Sequence, residues 1–188
     1  LPKDDFEHWA CIACDQYTSE IEYWNRVQSF VGDRPSTYKI IFPEAYLDNP
    51  QYDEHMKSIP NNMEKYLNGG ILSDMGKCLL YIEREVSGGK IRRGLVGAID
   101  LEAYDWHSGS VSPVRATEDT VAPRVAARIK IRAESPMEMP HIIMFIDNPE
   151  DDIIVRHDTY EKVYDFPLME NCGNIKGYKV DSNSENII

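Results

Sequence analysis

The chain has 188 residues, of which 42% are hydrophobic and 28% charged, and its 32 acidic and 20 basic side chains give a formal net charge of −12. This composition is typical of a folded globular protein. Because the sequence contains no long uncharged apolar stretch, we expect no membrane-spanning segment. Because the negative charge repels phosphate backbones and anionic lipids, we expect neither non-specific nucleic-acid binding nor membrane association.

The first half of the chain is predicted to alternate short strands and helices. Ser19 as N-cap with Glu22 three residues later forms a capping box, and Gly32 is a typical stop, so this helix is the clearest of the half. Its apolar face is formed by Ile21, Trp24, Val27 and Val31. The predicted elements are a buried strand over 6–14, a helix over 19–31, a second strand over Thr37–Phe42, and one or two short helices over 51–68 split by Pro60.

The second half is predicted to begin with a β-hairpin formed by Lys77–Glu85 and Ile91–Glu102, because the glycines between them can adopt the positive φ angles of a tight loop. The second of these runs is apolar on both faces around 95–99, which predicts a central strand. The elements that follow are the segment 121–132, a strand over His141–Ile146, a weak helix over 158–164, a strand over Asn174–Val180, and the start of a helix at Ser184.

These elements predict an α+β fold in a single domain spanning residues 1–188. Its mixed, mostly antiparallel sheet is expected to be built around the 77–102 hairpin and the 141–146 strand, with the helices 19–31 and 51–68 packed on it. No internal repeat or linker-like segment interrupts the chain.

The four cysteines are too few for the disulfide scaffold of a small secreted protein. Cys11 and Cys14 have the spacing of half a zinc site or of a redox pair, but Cys78 and Cys172 are separated and supply no second ligand pair. We therefore expect reduced thiols, no bound metal and a cytoplasmic location.

A local reversal of charge marks the segment 115–132 as the candidate site. Its basic residues share one face in either of two conformations, as Arg124, Arg128 and Arg132 in a helix or as Arg128, Lys130 and Arg132 in an extended chain. Arginine grips phosphate and carboxylate groups bidentately, so the strip suits an anionic ligand. The alternative is a solvated face that pairs with nearby acids.

Thr117, Glu118 and Thr120 lie just upstream of this strip. They suit ordinary N-cap chemistry at a helix start, with Thr117 and Thr120 as alternative caps. They also suit catalysis, because a carboxylate beside clustered arginines can act as a general base next to a bound anion. Composition alone leaves both interpretations open.

Several segments of the chain form a recognisable set when taken together. They are Trp9–Ser19, Tyr23–Trp24, Pro35–Thr37, Phe42–Leu47, Arg93–Glu102, Arg115–Glu118, Arg128–Arg132 and Pro140–Ile142. In this order they resemble the Domain of Unknown Function 1015 family, in a branch common in anaerobic bacteria. Longer members carry a DGHHR or GDGNHS motif after this region, which is similar to the nucleotide-binding box of ParB-like folds, including free-serine kinases.

The resemblance implies that this chain is the N-terminal part of a longer protein with a partly ParB-like fold. Many members carry HExT where this chain has TEDT, so Glu118 and Thr120 match while Thr117 replaces the histidine. The glutamate at a similar place in the ParB-like kinases is thought to be the base, and that role carries over to Glu118.

The expected function is therefore part of a nucleotide-dependent phosphotransferase that acts on a small serine-like molecule, with ATP or ADP and Mg²⁺ as the implied cofactors. Phosphate charge would be neutralised by Arg115, Arg124, Arg128 and Arg132. Since the Gly-rich motif is absent from these residues, we expect this chain alone to fold but to have little kinase activity. The alternative is a non-catalytic binding or structural module for an acidic metabolite or a partner protein.

Overall fold

In the computed structural model of the protein, residues 6–13, 17–86, 88–116, 122–139, 141–150 and 152–181 are described. The helices are α1 (Phe6–Trp9), α2 (Ile21–Val31), α3 (Asp53–Asn68) and α4 (Ala122–Glu134). The strands are β1 (Cys78–Val86), β2 (Lys90–Val96), β3 (Tyr104–Asp105), β4 (Val114–Arg115), β5 (Glu161–Pro167) and β6 (Asn174–Asp181). Short 3-10 turns connect them at Thr37–Ile40, Glu44–Tyr46, Pro50–Tyr52, Leu101–Ala103 and Met169–Asn171.

A four-stranded antiparallel sheet with the order β2-β1-β6-β5 forms the β half of the molecule, which confirms the predicted α+β class. The predicted hairpin is present as β1 and β2, and Gly88 and Gly89 in its loop have φ angles of 83° and 72°. The prediction of a central second strand is wrong. Strand β2 lies at the edge of the sheet, because β6 pairs with the other side of β1. It also ends earlier than predicted, at Val96.

The predicted role of 141–146 in this sheet is also wrong. These residues have neither helical nor strand hydrogen bonding, and β5 and β6 supply the strands that join the hairpin. The weak helix predicted over 158–164 is not present, because residues 158–160 form a turn and 161–164 begin β5. The strand predicted over Asn174–Val180 is confirmed as β6. The helix start predicted at Ser184 lies outside the described residues.

Helix α2 is confirmed, but its predicted cap is not. The helix begins at Ile21 after Glu20, which makes no side-chain capping bond, and Ser19 is an exposed residue before it. At the other end Gly32 has a φ of 54°, a value that costs glycine little. The buried face consists of Tyr23, Trp24, Val27 and Val31.

Two predicted N-terminal strands are replaced by helical turns. The segment 6–14 begins with α1, and Thr37–Ile40 is a 3-10 turn. The cause of the second is local hydrogen bonding, since the Ser36 hydroxyl accepts from the Tyr38 N–H while the Ser36 and Thr37 hydroxyls donate to the Trp9 carbonyl. Such bonds offer the backbone an alternative to a strand ladder.

Helix α3 runs unbroken through Pro60, so the predicted split does not occur. A proline inside a helix removes one backbone hydrogen bond and crowds the preceding turn. The buried contacts on both sides of it offset that cost: Ile59 is 0% exposed and Met63 2%.

The helices pack in two ways. The α2 core includes Phe166 and Leu168 at the end of β5, and Phe6 of α1 stacks on Phe166 at 5.5 Å between ring centroids. By contrast, α3 forms its core with Ile40 and with Ile131 of α4, so the prediction that it packs on the sheet is wrong. No helix among the described residues combines the length and the apolar character needed to cross a bilayer.

We predict that Ile59→Ala lowers the free energy of unfolding by about 2–5 kcal/mol, because it removes a fully buried side chain and leaves a cavity under Pro60. Leu67→Ala on the same helix, at a side chain 41% exposed, is the matched control and should cost far less. Urea unfolding followed by circular dichroism measures both variants. Equal losses would contradict the assignment of the α3 core.

A second prediction concerns His55 on α3, whose Nε2 lies 2.9 Å from the Ile41 carbonyl oxygen and whose ring contacts Tyr38 and Tyr46. Burial lowers the pKa of His55 below the ordinary 6.5. As the pH falls, His55 is therefore protonated in the unfolded chain before it is protonated in the folded protein. The stability contributed by neutral His55 is lost as the pH falls from about 6.5 toward the folded pKa.

Urea unfolding at pH 7.5, 6.5 and 5.5 measures this loss, and His55→Gln should flatten the pH dependence over that window. The same fall in stability in the variant would show that other groups cause it.

Candidate functional site

Helix α4 decides between the two predicted arrangements of the basic strip in favour of the helical one. Arg124, Arg128 and Arg132 therefore share one face at the spacing i, i+4 and i+8. Lys130 lies roughly 200° around the helix from Arg128, at about 100° per residue, and so belongs to the opposite side.

The chain after α4 folds back and fixes one of these arginines. Met137 and Met139 pack against the α3 core, as Ile131 does from α4 itself. Glu138, between the two methionines, is turned to the solvent side and pairs with the Arg132 guanidinium at 2.5 Å. Because the Glu138 carboxylate neutralises Arg132, this arginine attracts an anionic ligand less strongly than the sequence predicts.

Arg128 is the exposed cation of this face, and within the part of the chain that the structure describes it has no ion pair or hydrogen-bond partner for its side chain. None of those described residues competes for its five N–H donors, and an arginine can bind a phosphate or carboxylate group through two parallel hydrogen bonds. The backbone of Arg124 lies in α4, and its side chain is outside the described set.

Arg115 is exposed at the end of β4, where it is paired in parallel register with Asp105 of β3. The loop between these short strands is held by side chains: Asp105 accepts from the His107 N–H at 3.0 Å, and the Ser112 hydroxyl donates to the Ala103 carbonyl. The exposed Trp106 ring stacks on His107 at 4.6 Å.

Asp105 stays ionised beside Arg115. The backbone N–H of His107 is the main reason that the pKa of this carboxyl falls to about 2, with bonds from Ser110 and the His107 ring adding to it. Sequence reasoning did not single out Asp105, Trp106 or His107. Aspartate side chains in loops commonly accept a hydrogen bond from the backbone N–H two residues later. Asp105 within a polar loop is therefore the sequence signal that could have indicated this turn.

Thr117, Glu118 and Thr120 lie outside the described residues. The placement of Glu118 beside the arginines of α4 therefore stays a prediction.

An open groove of about 550 Å³ lies between α3 and α4, on the side of α4 that carries Lys130. Its apolar lining includes Met56 and Pro60 of α3 and Ile129 of α4. Charges of both signs also line it, from Lys57, Lys130, Asp53 and Glu134. Arg128 and Arg132 do not line it.

The thiols of the described cysteines, Cys11, Cys78 and Cys172, are free, and Cys14 falls outside the described residues. The Cys11 sulfur lies 3.2 Å from the Thr37 hydroxyl, and the Cys11 N–H donates to the same oxygen. Burial raises the pKa of the Cys11 thiol to about 11, which disfavours the thiolate. The described residues contain no group of three side chains suited to hold a metal ion.

Comparison with known proteins places almost the whole chain within one family. The model of a family described as "Protein of unknown function (DUF1015)" matches residues 1–186. Neither the curated proteins nor the solved structures contain a match to this chain. The resemblance found in the sequence motifs is confirmed, while the similarity to ParB-like folds stays a prediction.

We predict that Cys11 reacts with a thiol reagent at pH 8 about 100-fold more slowly in the folded protein than in urea, because a pKa of about 11 leaves little thiolate. The measurement uses a variant in which Cys11 is the remaining cysteine. A matched variant that retains Cys172, a partly exposed residue as Cys11 is, should show a much smaller protection if the raised pKa of Cys11 rather than access is the cause. Equal rates for folded and unfolded Cys11 would overturn this picture of an inert thiol.

Proposed function

The chain belongs to the DUF1015 family, and on that premise we propose that it forms part of a nucleotide-dependent phosphotransferase that acts on a small, serine-like hydroxyl compound. The observation that carries the proposal is the arginine face of α4, on which Arg128 is exposed and unpaired among the described residues. A local cationic face in a chain of charge −12 is a place where an anion can bind.

The roles follow from charge and proximity along the chain. Arg128 and Arg124 neutralise the oxygens of the phosphoryl group in transfer, and Arg115 adds to the positive field from β4. Glu118, which precedes α4, accepts the proton of the substrate hydroxyl as the hydroxyl oxygen forms the new bond to the terminal phosphorus of the nucleotide. The bond from that phosphorus to the bridging oxygen breaks, and the nucleotide leaves with one phosphate fewer. Thr117 and Thr120 on either side offer hydroxyls that can bond to phosphate oxygens.

The residues fit a phosphate group better than they fit a metal ion. The exposed guanidinium of Arg128, unpaired among the described residues, suits a phosphate, whereas those same residues bring no three metal ligands together. Bound nucleotide would supply the phosphoryl group, and we assign no step to Mg²⁺. Holding a polyphosphate also calls for backbone N–H groups at a Gly-rich turn or a helix start, which the expected GDGNHS-type segment would provide.

A second candidate function is a non-catalytic module that binds an acidic metabolite or a partner protein. The ion pair of Arg132 with Glu138 favours it, because it removes one cation from the strip and leaves a single free guanidinium among the described side chains of that face. Binding one carboxylate or phosphate needs no more than that, whereas phosphoryl transfer needs several positioned charges.

The test measures binding and transfer separately. We expect the 188-residue chain to bind ATP and phosphoserine weakly by calorimetry, with affinity falling as salt rises. Arg128→Gln should weaken binding about three- to tenfold, as expected for one exposed charge-assisted contact. Lys130→Gln on the opposite side of α4 is the matched control and should have little effect.

Transfer of phosphate to serine is then assayed on the 188-residue chain and on a chain extended by a GDGNHS-type segment. The proposal expects activity in the extended chain alone, with Glu118→Gln abolishing transfer while binding persists. An inactive extended chain that still binds the anion through Arg128 would favour the binding module, and unchanged affinity in Arg128→Gln would refute both.

A further inference from the structure

Five consecutive large apolar residues, Ile142–Ile146, lie on the surface of the molecule. Ile142 is 86% exposed, Ile143 78% and Phe145 85%. Within the described residues, the segment forms no backbone hydrogen bonds of a helix or strand. Soluble proteins rarely leave such a contiguous apolar surface uncovered, and where they do it marks a site of interaction. We call this segment the apolar run.

The sheet offers two edges to which such a run could add as a strand, and they differ in charge. The edge strand β2 carries Lys90, Arg92 and Arg93, all exposed, together with Ile91 at 52% exposure. The other edge strand, β5, carries Glu161 and Asp165 and one cation, Lys162, which pairs with Asp165 at 3.0 Å. This strand ends in Pro167 and is contacted by α1. Proline cannot donate to a ladder, so β2 is the better edge for an incoming strand.

The charges of the residues that follow the apolar run are complementary to those of β2 and not to those of β5. Asp147, Glu150 and Asp152 are acidic and exposed. Placed beside β2 they face the cations of Lys90, Arg92 and Arg93. Beside β5 they would face two carboxylates and one lysine that already pairs with Asp165. Charge complementarity of this kind selects a partner and a register even where it adds little affinity.

The observations point to a second copy of this chain as the partner: we propose that the apolar run of each copy adds as a strand to the β2 edge of the other. Each copy presents both surfaces, and in the proposed dimer the two contacts are reciprocal and close the assembly with two-fold symmetry, whereas contacts that do not close would build a filament. No hydrogen bond joins the run to β2 within one copy among the described residues. This inference is independent of the phosphotransferase proposal.

Light scattering coupled to size exclusion tests the proposal. At physiological salt and rising concentration the mass should approach twice the 21.6 kDa of one chain. Phe145→Asp should give a monomer with unchanged far-UV circular dichroism, since Phe145 is 85% exposed and packs little within its own copy. Val111→Asp, at a residue 97% exposed outside the run, is the matched control and should remain dimeric.

Charge reversal separates β2 from other docking sites. The variant with Arg92→Glu and Arg93→Glu should dimerise about tenfold more weakly, and adding Asp147→Lys and Glu150→Lys should restore dimerisation. A monomer at every concentration, a dimer that persists in Phe145→Asp, or charge reversal without effect would each overturn the proposal.

Discussion

The structure of the N-terminal half depends on one constraint. The hydroxyl of a buried tyrosine and the ring N–H of a buried tryptophan each need a hydrogen-bond partner. The Tyr38 and Tyr46 hydroxyls bond to each other at 2.9 Å, the Trp24 Nε1 donates to the Tyr17 carbonyl at 3.0 Å, and the Tyr23 hydroxyl accepts from the Ile12 N–H. These bonds fix the segments that run between α1 and α3. Short 3-10 turns are therefore sufficient there, because side chains take the place of a strand ladder.

The fold was predictable where the signal is local and failed where it depends on a distant partner. Both confirmed signals come from residues that are close together in the sequence. They are the helical spacing of Trp24, Val27 and Val31, which predicts α2, and the glycines of the β1–β2 loop, which predict the hairpin. The apolar run at Ile142–Ile146 has the composition of a buried strand, but composition does not name the strand it pairs with. The β-rich sequence at Thr37–Ile40 was misinterpreted because the bonds that bend it come from Ser36 and Trp9.

The candidate site was predictable to a similar degree. The charge reversal located the basic segment, and the structure selected its helical form. The sequence could not indicate that Glu138 neutralises Arg132, because that pairing depends on Met137 and Met139 turning inward against the α3 core. It also could not indicate the loop beside Arg115, which is built from side-chain bonds of Asp105 and Ser112 rather than from a periodic pattern.

The strand order has a consequence for the time at which the molecule can fold on the ribosome. Strand β1 pairs on one side with its neighbour β2, but on the other with β6, so Cys78 meets Asp181 across a long stretch of intervening chain. The hairpin can close as soon as it is synthesised, while its second edge stays open until β6 emerges. Ile142–Ile146 is translated within that interval. A nascent chain thus exposes an unpaired strand edge and an apolar segment together, the situation in which chaperones shield a growing polypeptide.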